Sequence, residues 1–155
     1  MIPVFSWERR FHLFILHTSS RIVNILKWVN IALAGEESVT IHTPALTAWI
    51  VWQGEIWGLP WLASFLICRH VEAWAKPLLG SRGRPRDVHE PGMPSGDCAI
   101  VTIWSVPLLG WWATPVILLV AWARVAQSAH WPLDTVVGVG LGLFLLIPAV
   151  ANLLW

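Results

Sequence analysis

The chain has 155 residues, of which 56% are hydrophobic and only 12% are charged, with thirteen Trp and no Tyr. A soluble domain carries about 25% charged residues, so much of this surface is expected to face an apolar medium, with a very apolar soluble protein or a buried subunit as the alternative. The formal net charge of +1 implies no polyelectrolyte partner, and nucleic acid is not expected as a ligand.

Residues 1–35 permit two interpretations. Within them, residues 5–26 mix apolar side chains with three Arg, a pattern typical of an amphipathic helix that lies in the membrane interface. Residues 22–35 could instead form a first membrane span. This N-terminal region is therefore assigned to an interfacial helix, to a first span, or to both.

Stretches without charge indicate the remaining spans, at residues 38–54, 56–68, 98–123 and 135–155. A helix needs about 20 apolar residues to cross a typical bilayer. The last stretch meets that length alone, whereas the second must extend to Trp74. A cluster of two Gly and one Pro after residue 53 predicts a break between the first two stretches. We therefore predict an all-α protein, with residues 1–155 forming a single domain folded as a polytopic transmembrane bundle of five or six helices.

The stretch 98–123 could form one helix or two. As a single helix it would extend about 39 Å, enough to cross once with tilt. Its centre holds Gly110, a Trp pair and Pro115, which together favour a turn at a membrane surface. We predict a hairpin that turns at residues 110–115, so that the polar segments before and after it lie on one membrane face.

The two polar segments at that face differ from the rest of the chain. Residues 76–97 carry one Lys, three Arg, four Pro and four Gly, and residues 124–134 contribute Arg124, His130 and Asp134. Cations alone could bind anionic headgroups or anchor the protein by the positive-inside rule. That alternative leaves the His and Asp without a role, whereas an anion-binding catalytic site uses them.

These residue types suit the chemistry of a phosphoryl group. Its charged oxygens match the planar fork of donors that Arg presents, and backbone amides at a helix start bind anions. The residues expected to hold those oxygens are Lys76, Arg84, Ser95, Gly96 and Arg124. His130 and Asp134 are four residues apart, so a helix places them on one face. A carboxylate that fixes the tautomer of the imidazole leaves the other ring nitrogen free to attack.

Three motifs follow one another in residues 76–134. They read Lys76, seven residues and Arg84-Pro85; then Pro94-Ser95-Gly96-Asp97; then Ala123-Arg124, five residues, His130, three residues and Asp134. In this order and spacing they resemble the type-2 phosphatidic acid phosphatase superfamily. The resemblance implies a six-helix membrane phosphatase. It also implies that His130 forms a phosphohistidine, that Asp134 orients it, and that the five residues expected to hold the phosphoryl oxygens do so.

The chain departs from the family pattern most clearly at Asp97, where the family has a His that protonates the leaving group. Nearby cations favour the charged form of a carboxylate, so Asp97 is expected to be a weak general acid or to pair with an Arg. His89 is a possible substitute acid, although an exposed loop histidine is the simpler interpretation. The interval after Lys76 is one residue longer than in the family, so Arg82 could take its place.

This substitution favours a substrate whose leaving group is already good. A lipid diphosphate leaves as a monophosphate, whose second pKa is about 6, whereas a lipid monophosphate leaves as a much more basic alkoxide. We predict an integral membrane lipid phosphatase that acts on a lipid phosphate or diphosphate, with preference for a polyprenyl diphosphate. The alternatives are a catalytically degenerate protein that binds lipid headgroups and a structural or transport subunit.

Orientation and cofactors complete the predictions. Two Arg near the N terminus favour a cytoplasmic start, and three spans before Lys76 would then place the site on the periplasmic or lumenal face; two spans would place it in the cytoplasm. No cofactor and no metal is implied, because Lys and Arg supply the positive charge and no cluster has metal-ligand spacing. Cys68 and Cys98 are expected to be core residues rather than a disulfide or metal ligands.

Overall fold

The structure, a computed structural model, describes residues 4–16, 20–34, 36–55, 58–79, 83–87 and 89–151. Its helices in chain order are α1 (Ser6–Leu16), α2 (Ser20–Ala34), α3 (Glu36–Trp52), α4 (Gly58–Leu79), α5 (Gly96–Leu109), α6 (Ala113–Ala126) and α7 (Pro132–Ala151). These ranges contain no strand, and their one isolated β-bridge joins Gly83 to Pro91. The all-α prediction is confirmed.

The breaks between helices follow the local sequence. The stretch 5–26, predicted as one amphipathic segment, is divided between α1 and the first part of α2. Gly54 has φ +85° after the end of α3, a conformation that glycine adopts at little cost. The predicted break between the charge-free stretches 38–54 and 56–68 is therefore confirmed as a break between two helices.

The α5–α6 segment is a hairpin. A 3-10 turn over Gly110–Trp112 joins the two helices, and Gly110 has φ +54°. Beyond the turn the helices run antiparallel, since Asp97 at the start of α5 contacts Arg124 at the end of α6, and Val101 packs near Val120. The turn predicted at residues 110–115 is confirmed, and both ends of the hairpin lie on the same side of the bundle.

By length and composition, Gly96–Ala126 is the one segment among the described residues that could cross a membrane. Because this segment folds back at Gly110, each arm has 14 residues and rises about 21 Å. A hydrocarbon core is about 30 Å thick. The all-α class is established, whereas a polytopic bundle with five or six spans stays a prediction.

The centre of the bundle consists of α4, α5 and α7. The indole N–H of Trp61 on α4 donates to the carbonyl oxygen of Ile103 on α5 at 2.7 Å, so an amphipathic ring is buried with its polar atom satisfied. α5 and α7 run in the same direction and approach closely at Gly138 and Gly142, where a Cβ atom would overlap the carbonyl oxygens of Ser95 and Ala99. Glycine at these two positions therefore lets the start of α5 pack closely against the second and third turns of α7.

The two cysteines lie inside this core. Cys68 on α4 and Cys98 on α5 are both fully buried free thiols. Their prediction as small core residues is confirmed.

Candidate active site

The motif residues converge where α5 and α7 begin and α6 ends. The backbone N–H of Ser95 donates to the carbonyl oxygen of Asp134 at 3.0 Å, which joins the second motif to the third. Arg124 Nη1 lies 3.0 Å from Asp97 Oδ2. The hairpin and the glycine contact of α5 with α7 thus bring together residues that are 27 positions apart (Asp97 and Arg124) and 39 positions apart (Ser95 and Asp134).

His130 lies two residues before the first residue of α7 and is 2% exposed. Its Nδ1 atom is 2.7 Å from the carbonyl oxygen of Gly92. A carbonyl oxygen can only accept a hydrogen bond, so the proton resides on Nδ1 and Nε2 keeps its lone pair. Nε2 lies 3.4 Å from Arg124 Nη2. The unprotonated nitrogen therefore faces the guanidinium group, which is where an anion would bind.

Asp134 supports the histidine less directly than its spacing suggests. Its Oδ2 atom is 3.8 Å from His130 Nδ1, beyond hydrogen-bond distance, and accepts the backbone N–H of Trp131 at 2.9 Å. The carboxylate is fully buried. Asp134 therefore stabilises the start of α7 and places a negative charge near the ring, while the Gly92 carbonyl makes the hydrogen bond that selects the tautomer.

The pKa of His130 is lowered from its ordinary value of 6.5. The main cause is burial, which disfavours the charged imidazolium. The positive charges of Arg124 and Arg84 act in the same direction, and Asp134 opposes them. The ring is consequently neutral, and able to act as a nucleophile, at neutral pH.

Arg124 and Ser95 offer donors that no described residue uses. Arg124 lies in the last turn of α6, and its buried Nε atom has no hydrogen-bond partner among the described residues. The fully buried hydroxyl of Ser95 at the N-cap of α5 likewise makes no hydrogen bond within that part of the chain. Buried donors are normally satisfied, so these two suit a ligand with acceptor oxygens.

Asp97 is held by two residues from other helices. Besides the contact with Arg124, its Oδ2 atom accepts a hydrogen bond from the side-chain amide of Asn30 at 3.1 Å. Asn30 is 5% exposed and lies on α2. It was missed in the sequence, where the only signal is an Asn within a mostly apolar helix. Asp97 is thus an ion-paired carboxylate rather than an unpaired acid.

The other predicted cations are bound to carboxylates of the chain. Lys76 in the last turn of α4 pairs with Glu72 one turn earlier, and that carboxylate lies so close to Gly96 that any side chain there would overlap it. Arg84 Nη1 lies 2.8 Å from Glu90 Oε2. Neither cation is paired with His130 or Asp134 in these contacts.

The loop that carries Arg84 nevertheless packs on the segment that carries His130. The backbone N–H of Arg86 donates to the carbonyl oxygen of Ser128 at 3.1 Å, and the indole N–H of Trp131 donates to the carbonyl oxygen of Gly83 at 2.9 Å. His89 is exposed, and Arg82 lies outside the described residues.

Fold and contacts together define an all-α protein in which basic and polar side chains surround a buried histidine. The chain belongs to the PAP2 superfamily, whose family model matches residues 34–154. The resemblance identified from the three motifs is thereby confirmed, and the family supports phosphatase-type activity on phosphate esters. Comparison with curated proteins gave no match, and neither did comparison with solved structures.

Proposed function

We propose that this protein is an integral membrane phosphatase that hydrolyses a lipid phosphate or diphosphate through a phosphohistidine on His130. The observation that carries the proposal is the position of His130 Nε2, 3.4 Å from Arg124 Nη2, with its tautomer selected by the Gly92 carbonyl. A phosphoryl group bound to the guanidinium would present its phosphorus to a nitrogen lone pair. Positioning of this kind is a large part of catalysis in phosphoryl transfer.

In the first step Nε2 forms a bond to phosphorus while the bond from phosphorus to the leaving oxygen breaks. The leaving group departs with that electron pair, and Nδ1 keeps its proton, which it donates in a hydrogen bond to the Gly92 carbonyl oxygen. In the second step water attacks phosphorus and the N–P bond breaks, with its electron pair returning to Nε2. The water oxygen and both of its protons leave with the phosphoryl group as inorganic phosphate, and the imidazole is neutral again. The donors of Arg124 and Ser95 stabilise the charge that builds on the phosphoryl oxygens.

The state of Asp97 favours a diphosphate substrate. An ion-paired carboxylate has no proton for a leaving alkoxide, and Asp97 lies 3.0 Å from Arg124 Nη1. A lipid diphosphate releases a lipid monophosphate, whose second pKa of about 6 makes proton donation unnecessary. A polyprenyl diphosphate is therefore the preferred candidate over a phosphatidic acid.

An apolar groove supports a substrate with a long hydrocarbon tail. The groove has a volume of about 1110 Å³ and lies between α1, α6 and α7. Its lining runs from Trp111 at the hairpin turn to Val125 and Pro132, which adjoin Arg124 and precede Asp134. A tail in this groove would lie along α6 while the phosphate occupies the site at its end.

The membrane setting and the side of the site are parts of the same proposal. The aromatic residues on the outer face of α1 suit the lipid interface, and we propose that the site faces the periplasm or an organelle lumen. A Cys in place of exposed His89 would test that side, because an impermeant thiol reagent added to intact cells should label it. Protection of this Cys until the cells are opened would place the site in the cytoplasm.

The decisive experiment is turnover by the purified full chain in mixed micelles, comparing a prenyl diphosphate with phosphatidic acid, with and without vanadate. We expect phosphate release that vanadate blocks, a clear preference for the diphosphate, and no activity in His130→Ala. Preference for the monoester would overturn the substrate assignment. Full activity in His130→Ala would remove the proposed nucleophile.

A catalytically degenerate headgroup-binding protein is the second candidate. It is favoured by the Asp97 carboxylate, which occupies one arm of Arg124 and stands where the family has its acid. A protein of this kind would bind a lipid phosphate but release inorganic phosphate from neither the prenyl diphosphate nor phosphatidic acid.

A further inference from the structure

Helix α1 buries two ionisable side chains, Glu8 and His12, and exposes most of its large apolar side chains. Glu8, His12 and Ile15 are buried. The exposed large side chains of the helix and its preceding residue are Phe5, Trp7, Phe11, Leu13, Phe14 and Leu16. A surface helix of a soluble protein has the opposite arrangement. Since burial of a carboxylate is unfavourable without partners, the inward position of Glu8 requires specific contacts.

Those contacts include the first turn of α7. Glu8 is fully buried, and its Oε1 atom accepts a hydrogen bond from the backbone N–H of Leu133 at 3.0 Å. Its Oε2 atom accepts the backbone N–H of Phe5 at 3.0 Å. The first amides of an α-helix have no partner within the helix, and a carboxylate beside them is stabilising. Glu8 therefore caps α7 from a different helix.

The sequence before α7 explains why an outside cap is needed. Trp131 precedes the helix and has no side-chain oxygen to accept the first amides, and Pro132 has no N–H. Asp134 reaches back to the N–H of Trp131 at 2.9 Å, as in one half of a capping box. The N–H of Leu133 donates its hydrogen bond to the carboxylate of Glu8.

A second residue of α1 contacts the chain on both sides of His130. His12 Nε2 lies 3.4 Å from Ser128 Oγ, and the ring of His12 meets the ring of Trp131 edge-on with centroids 5.3 Å apart. Ser128 has φ +55°, which a non-glycine residue adopts only when its surroundings hold it there. The segment that carries His130 is thus held from outside by α1.

We propose that Glu8 is a positioning residue for His130. By holding the Leu133 amide it keeps the first turn of α7, and with it the imidazole three residues earlier, against the Gly92 carbonyl and in line with Arg124. This inference rests on the proposed role of His130 as nucleophile. Glu8 lies outside residues 34–154, which the family model matches, so membership of the family carries no expectation at this position.

The test compares Glu8→Ala, Glu8→Gln and Arg10→Ala in the purified full chain, with a prenyl diphosphate in mixed micelles. Glu8→Ala should lower kcat by about 10- to 100-fold, since displacement of a catalytic group by about 1 Å has an effect of that size, and leave KM within about twofold. Glu8→Gln retains an oxygen for Leu133 and should recover most of kcat. Arg10 is exposed on the same helix, and its replacement should change neither constant.

The pH profile separates positioning from loss of folded protein. A smaller folded fraction would lower the apparent kcat at every pH by the same factor. The pH at which kcat/KM falls on the acid side would then be the same as in the wild type. A displaced His130 is less buried, so in Glu8→Ala that pH should move up toward 6.5, the ordinary pKa of histidine. Wild-type kcat in Glu8→Ala, or equal loss in the Ala and Gln variants with that pH unmoved, would overturn the inference. Activity in His130→Ala would instead overturn the proposed function.

Discussion

His130 Nδ1 lies 2.7 Å from the carbonyl oxygen of Gly92, whereas the carboxylate of Asp134 is 3.8 Å from the same atom. The main-chain oxygen therefore selects the tautomer, and the carboxylate acts on the ring through its charge and through the start of α7. The carbonyl holds the proton on Nδ1, so the unprotonated Nε2 is the ring nitrogen that accepts from Arg124 Nη2.

Catalysis should persist below the pH at which an ordinary histidine becomes charged. Burial lowers the pKa of His130 from 6.5, and only the neutral ring can attack. The plateau of kcat/KM should extend below pH 6.5 and fall only near the lowered pKa. The profile should be recorded with both a monoester and a diphosphate. A fall in kcat/KM at the same pH with both substrates reports ionisation of the enzyme rather than of the substrate. A common fall above pH 6.5 would contradict the prediction.

The same shift affects stability. Below pH 6.5 the unfolded chain binds a proton at this residue more readily than the native protein does, so the contribution of His130 to stability is present above pH 6.5 and is lost as the pH falls through its lowered value. Thermal unfolding of wild type and His130→Gln between pH 5 and 8 should diverge on the acid side.

Replacement of Arg124 by Lys should be severe. Arg124 contacts Asp97 with Nη1 and faces His130 with Nη2, and a single ammonium group cannot occupy both positions. We expect kcat/KM to fall by about 100-fold, the effect of losing one donor to a developing charge. Arg86→Lys is the matched control, because the Arg86 side chain is exposed. Unimpaired turnover in Arg124→Lys would favour a structural role for these charges.

Replacement of Asp97 by Asn should strengthen anion binding. In the proposed site the carboxylate would compete with a phosphoryl group for Arg124 Nη1. The pair is partly exposed, with relative side-chain accessibilities of 17% and 22%. A pair of this kind is worth up to about 1 kcal/mol, or about fivefold in affinity. Inhibition by vanadate should tighten by that factor. Weaker inhibition would show that Asp97 orients Arg124 rather than competing for it.

Filling the apolar groove should impair long-tailed substrates selectively. Val136 lines the groove and is 62% exposed, so Val136→Trp adds a ring there without entering the core. Turnover of a prenyl diphosphate should fall at least tenfold relative to a short-chain phosphate. A loss of this size corresponds to several CH₂ groups of the tail that can no longer be buried in the groove. Leu66→Trp, at an exposed position on α4, is the control. Equal loss on both substrates would place the tail elsewhere.

The contact between α5 and α7 should tolerate no side chain at Gly138. A Cβ there would overlap the carbonyl oxygen of Ser95, whereas one at Gly140 meets nothing within 4 Å. Gly138→Ala should lower stability by about 1–3 kcal/mol and separate Ser95 from Asp134, while Gly140→Ala should raise stability by up to about 1 kcal/mol. Thermal unfolding of the two variants measures the difference, and identical melting temperatures would contradict the packing described.

Local sequence was sufficient for features that neighbouring residues decide. The stretches without charge indicated the helices, and Gly110 with its Trp pair indicated the turn that returns α6 to the side on which α5 begins. The spacing of Arg124, His130 and Asp134 indicated the third motif. Helix period, glycine turns and charge-free runs are short-range properties, and the sequence records them directly.

The direct partners of the site residues were decided by the tertiary structure. Asn30 and Glu8 lie on helices that are distant in sequence from the motifs. The Gly92 oxygen belongs to the main chain, which every residue has, so the sequence carries no signal for it. Lys76 was expected on the phosphate but pairs with Glu72, one turn away on the same helix. Composition, motif order and the hairpin thus follow from the sequence by itself. The tautomer of His130 and the cap on its helix depend on packing between distant segments, because a hydrogen bond exists only where folding brings its two atoms together.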